Sequence, residues 1–140
     1  MNFVSTRIIT GDITRSVAFY EQVTGTAAQW ATPDFAELDT PTAALAIGSE
    51  RTVALFAPGS ARPADNHSVI IEFLVEDVDR LYRDVSGTDI DVVAAPTTMP
   101  WGNRSLLVRD PDGNLVNFFT PVTAAAVEKF ARRGAPVTHS

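Results

Sequence analysis

The sequence contains no cysteine and only two histidines, His67 and His139. The first absence removes disulfides, thiolate metal sites and cysteine nucleophiles. The second leaves no histidine pair able to converge on a metal and no Ser-His-Asp arrangement. A glycine-rich phosphate loop is also missing. No apolar run approaches the roughly 20 residues of a membrane helix, and the first residues lack the basic and apolar regions of a signal peptide. The expectation is a cytoplasmic protein without membrane association. Basic residues are few, with 11 Lys and Arg against 17 Asp and Glu for a formal net charge of -6 and a sequence pI near 4.7. Such a surface repels nucleic-acid phosphates and better suits a neutral or cationic small ligand, besides serving solubility.

What is present is enough apolar material for a core. The chain has 140 residues, 45% of them hydrophobic, and a mean hydropathy of +0.05, which suits one compact domain or two small fused halves. An internal echo decides for halves. Residues 8–25 and residues 74–87 each read as an apolar strand, an aspartate, an amphipathic helix and a terminal glycine. In the first, Asp12 is placed to cap, Ile13, Val17, Tyr20 and Val23 recur at helical spacing, and Gly25 suits a left-handed C-cap. In the second, Asp77 caps, Val78, Leu81, Tyr82 and Val85 form the buried stripe, and Gly87 ends it. Short strands follow each helix: 26–31, 35–47 with a break, and 51–57, then 89–95, 104–109 and 115–120. Pro111, Asp112 and Gly113 supply a tight turn between the last two.

The repeated unit is βαβββ. This reading gives an α+β fold of module 1–57, a proline- and glycine-containing linker 58–67 and module 68–121, together one domain over 1–121. A short helix within 122–133, with Arg132 and Arg133 at its C-terminal end, and a frayed tail complete the segment 122–140.

The "GDITRSVAFYEQVTG" opening and the "PWGNRSLLVRDPDGNLVNFFTP" ending, set in two βαβββ halves, resemble the vicinal oxygen chelate superfamily. That superfamily includes glyoxalase I, extradiol dioxygenases, fosfomycin-modifying enzymes and bleomycin-resistance proteins. The resemblance covers residues 2–121. It implies a curled mixed sheet (the glyoxalase/bleomycin-resistance fold) that forms a cup, and a homodimer, with modules exchanged between chains as one option. It also implies, for enzyme members, a divalent metal held by His, Gln or Glu near the middle of each half's first strand and near each half's last strand. Counted from the capping aspartates, those positions fall here at Ser5, Ala54, Ile70 and Asn117. Alanine and isoleucine have no lone pair to give, serine is a poor neutral ligand, and a single asparagine makes one weak bond. The expectation is no metal and no cofactor.

Strand alternation from these positions collects the candidate ligand-binding side chains: Arg7 beside Ser5, Glu72 beside Ile70, Phe119 beside Asn117, and Phe56 on the expected strand 51–57. Arg7 and Glu72 occupy equivalent places in the two halves and suit either a structural ion pair or, for Glu72, a base toward a ligand. Trp101, in Met-Pro-Trp-Gly, matches a tryptophan at the cup mouth of bleomycin-resistance relatives, and Trp30 with Phe35 takes the corresponding edge of the first half. Each ring stacked on a planar ligand contributes about 0.5–1.5 kcal/mol beyond burial; packing under a loop is the alternative.

The function expected from these residues is sequestration of a bulky aromatic or apolar natural product, of the antibiotic self-resistance type, rather than catalysis. Left open are a glyoxalase-like lyase, isomerase or dioxygenase with atypical or absent metal ligands, with Glu72 or Asn117 serving a cofactor-free isomerase or lyase, and an interaction domain whose cup is filled by side chains.

Overall fold

The computed structural model describes residues 1–133, so His139 and the expected frayed tail lie outside the described residues. Two compact units form, one from residues 1–69 and 109–115 and the other from residues 70–108 and from 116 onward. Linker residues 58–67 belong to the first unit.

The first unit begins with β1 (Ser5–Thr10) and α1 (Ile13–Thr24). The Asp12 carboxylate accepts the Arg15 N–H at 3.1 Å, and Gly25 closes the helix in the left-handed conformation at φ 69°. Then come β2 (Gln29–Thr32), β3 (Phe35–Asp39) and β4 (Ala44–Ser49). They assemble in the order β1-β4-β3-β2, with β1 parallel to β4 and the other pairs antiparallel. Cross-strand partners share a face, so the register sorts the sheet into rows. One row is Ile8, Ile47, Ala36 and Trp30, and the next is Arg7, Ala46, Glu37 and Gln29 on the opposite face. Ile8, Ile47 and Ala36 of that first row, with Leu38 and Leu45, are buried on the face that α1 covers with Val17, Tyr20 and Val23.

The expected strand 51–57 is replaced by a short helix, α2 (Glu50–Ala54). The last strand of this half is instead Ala44–Ser49, set off from β3 by a turn at Thr40, where the Thr40 N–H bonds the Ala43 carbonyl. A short apolar run cannot by itself be told from a buried helical segment, and here the local bonds favour the helix: the Thr52 hydroxyl donates to the Ser49 carbonyl at 2.7 Å. A side chain at Gly48 would meet Thr52 Oγ1 at 2.7 Å, so α2 crosses the face opposite α1 at a point that only glycine leaves open.

The second unit repeats the plan with β5 (Ile70–Leu74), α3 (Val78–Val85), β6 (Asp91–Thr98), β7 (Asn103–Arg109) and β8 (Leu115–Pro121). Its sheet order is β5-β8-β7-β6. Asp77 caps α3 through the Arg80 N–H, and Val78 and Val85 are buried. Phe73 and Phe118 stack with centroids 5.5 Å apart. α4 (Ala124–Arg133) follows β8, with Thr123 Oγ1 accepting the Ala126 N–H at 3.2 Å. Its Phe130 lies 5.0 Å from the Phe119 ring. Each half therefore carries a helix after its last strand, and the repeat is βαβββα.

The turn 109–115 packs with the first unit although it joins two strands of the second half. Buried Asp110 organises it, accepting the Asp112 and Asn114 N–H groups at 2.9 Å, the Asn114 amide at 2.7 Å and the Tyr20 hydroxyl at 2.6 Å.

Candidate functional site

On the face of the first sheet opposite α1, β1 presents Ser5 and Arg7, both exposed. The Arg7 guanidinium carbon lies 4.9 Å from the Phe35 ring centroid and 5.9 Å from that of Phe56. Phe35 starts β3 in the row of Ile9 and Gly48, two residues along and on the same face as Arg7, while Phe56 follows α2 and is 67% exposed. Three expected ligand-binding residues thus converge, although Phe56 arrives from a helix rather than from the strand on which it was expected. The position expected at Ala54 lies on that helix as well. Ala54 is an exposed residue of α2, and the β4 residue beside Arg7 in the register is Ala46.

Trp30 does not join this group. Its partner is Ala36, so it lies in the row facing α1, at the edge of the sheet and 46% exposed. The alternation changes at an irregularity between Trp30 and Thr32.

In the second unit Glu72 on β5 accepts a 2.8 Å hydrogen bond from the Asn117 amide on β8. Asn117 Oδ1 is buried with no partner among the described residues. Arg7 and Glu72 each have their partners within their own unit. Ile70, two residues before Glu72, is 49% exposed. Phe119 is only 6% exposed because Phe130 of α4 covers it. Trp101 stands at the tip of the β6–β7 turn, 68% exposed; the turn closes through the Gly102 N–H to the Met99 carbonyl and has Gly102 at φ 96°. A shallow depression of about 460 Å³ lined by Lys129, Arg132 and Arg133 contains none of the expected residues.

Among ionisable groups of the second unit, Arg104 makes a two-pronged contact with Asp79 at 2.9 and 3.0 Å. The hydrogen bonds hold the Asp79 carboxyl below its ordinary range. This pair joins β7 to α3 and contains none of the expected site residues.

Residues 2–118 match the family described as the glyoxalase/bleomycin resistance protein/dioxygenase superfamily. The chain belongs to that superfamily. Among its similar proteins is the uncharacterized protein YraH of Bacillus subtilis, 25% identical over 125 residues that span 85% of this chain and 98% of YraH. A superfamily protein from Nocardioides superposes with a TM-score of 0.71 at 20% identity, covering 89% of this chain and 85% of that one. Lactoylglutathione lyase from Agrobacterium tumefaciens gives 0.67 at 21% identity, covering 85% and 92%. Likeness at these structural identities concerns the fold.

Metal-dependent members of this superfamily set the relevant test for the donor positions. The expected positions are Ser5, Ala54, Ile70 and Asn117, and the β4 residues paired with Ser5 and Arg7, Ala44 and Ala46, add no donor. They do not fit a divalent ion, which takes carboxylate, imidazole or several convergent oxygen donors. No three His, Asp or Glu side chains gather among the described residues to replace them. Sequence reasoning missed α2 and its use in bringing Phe56 to Arg7. The one local signal was Gly48, a residue without a side chain in the last strand of the half.

Proposed function

We propose that this superfamily member binds an apolar, aromatic small molecule as a homodimer and releases it unchanged, a sequestering role of the bleomycin-resistance type. The observation that carries this reading is the face beside Ser5 and Ala46. Where a metal donor set would belong, it displays a guanidinium against two phenylalanine rings. Apolar surface with a few fixed polar groups is the usual lining of a small-molecule site. Trp101, in the second unit, is a separate exposed flat ring, and exposed apolar side chains of the first unit such as Phe3, Val4, Leu55 and Phe56 favour a covered surface in a dimer.

Native mass spectrometry of the protein, alone and with a panel of aromatic and glycopeptide natural products, tests it. The expected species is a dimer carrying unaltered compound, and Trp101→Ala should weaken that complex while leaving the fold intact. A shifted compound mass or a bound metal would replace sequestration with catalysis.

A second reading, a lyase or isomerase, is favoured by the hydrogen bond from Asn117 to Glu72, which orients a carboxylate beside an unspent amide oxygen. Turnover lost in Glu72→Gln would support it.

A further inference from the structure

The arginines of the first unit divide by what their N–H groups meet. Arg15 donates to the Pro111 carbonyl and Arg109 to the Gly113 carbonyl. Arg51 and Arg62 face Asp34 and Asp65. Arg7 has only the Phe35 and Phe56 rings, and no oxygen acceptor among the described residues.

A ring contact holds the guanidinium in place without satisfying its hydrogen-bond donors. Guanidinium carries five N–H bonds in a planar fork that matches a carboxylate bidentately. One carboxylate shares its row, Glu37, but the two form no salt bridge among the described residues. Its neighbour across the sheet is Ala46, and the next residue is Glu37, two strands away or about 9–10 Å by strand spacing. Ser5 lies two residues along β1 on the same face, exposed, its hydroxyl likewise without a partner among the described residues. The rings beside the cation offer an apolar surface for whatever carries the anion.

We infer that Arg7, held by Phe35 and Phe56, anchors a carboxylate borne on a planar apolar ligand, with Ser5 as an auxiliary donor. This rests on the small-molecule reading and names its ligand class. It also reverses the choice that the net charge of -6 alone suggests, since the cation that decides binding is local and unpaired. Long-range attraction contributes nothing to capture of an anion by this acidic chain; short-range paired hydrogen bonds do.

The test is isothermal titration of the full chain with 2-naphthoate and with its neutral counterpart 2-naphthamide. Hydrogen bonds to a charged group predict that the acid binds at least about tenfold tighter. Arg7→Gln should erase that preference, and Arg7→Lys should retain part of it, with circular dichroism verifying the fold of each variant. Survival of the preference in Arg7→Gln overturns the assignment. Equal binding of acid and amide, both weakened by Phe56→Ala, also overturns it but leaves the small-molecule reading standing. Binding of neither probe overturns it too, and the natural-product panel then decides the broader reading alone.

Discussion

Tyr20 is fully withdrawn from solvent, and its hydroxyl reaches Asp110 at 2.6 Å. Burial first, and then the Asp110 charge, raise its phenol far above the ordinary value near 10. As pH rises, the unfolded chain therefore loses this proton before the folded one does. The stabilisation is complete below about pH 10 and is lost above it. Tyr20→Phe should cost about 1–3 kcal/mol at neutral pH, because Asp110 loses a buried donor. The same variant should show a shallower fall in urea midpoint than the wild type between about pH 9 and pH 11. Equal alkaline slopes would mean that Tyr20 is not the group that titrates. Arg7 is the corresponding residue on the functional side: its identity was legible as a candidate, but its ring partners come from β3 and from beyond α2, elements that no local pattern links.

At the scale of elements, caps and turns were readable because their chemistry is local. Asp12, Asp77 and Gly25 act within one helical turn, and Pro111, Asp112 and Gly113 reverse the chain where expected. Residues 51–57 misled because an apolar run of that length satisfies either a strand or a packed helix. What decides is contact with Gly48, which pattern does not record. Gly48→Ala should destabilise the fold by about 1–3 kcal/mol, the usual range for an overpacked site, since the new Cβ would sit 2.7 Å from Thr52 Oγ1. Adding Thr52→Ala should recover part of that loss, measured by thermal or urea denaturation. A neutral Gly48→Ala would show that α2 can lift from the sheet freely.

For the whole molecule, charge and composition speak to solution behaviour more than to fold. With a sequence pI near 4.7 and exposed apolar groups including Phe3, Leu55 and Trp101, the chain should scatter light most strongly near that pH and clear on either side. A scattering maximum elsewhere would mean that apolar contact, rather than charge, controls association. No helix among the described residues is long and apolar enough to cross a membrane. From its residues alone the chain determined the duplicated strand–helix–strands plan, the caps, the closing turn and the poverty of metal donors, because each depends on side-chain type or on neighbours within a few positions. Only the tertiary structure decided that β4 ends at Ser49, that Ala46 and not Ala54 stands beside Arg7, that Trp30 faces the helix side and that Phe130 covers Phe119. Those facts follow from cross-strand register and from contacts between segments distant in sequence, where a shift of one residue reverses every side chain's face.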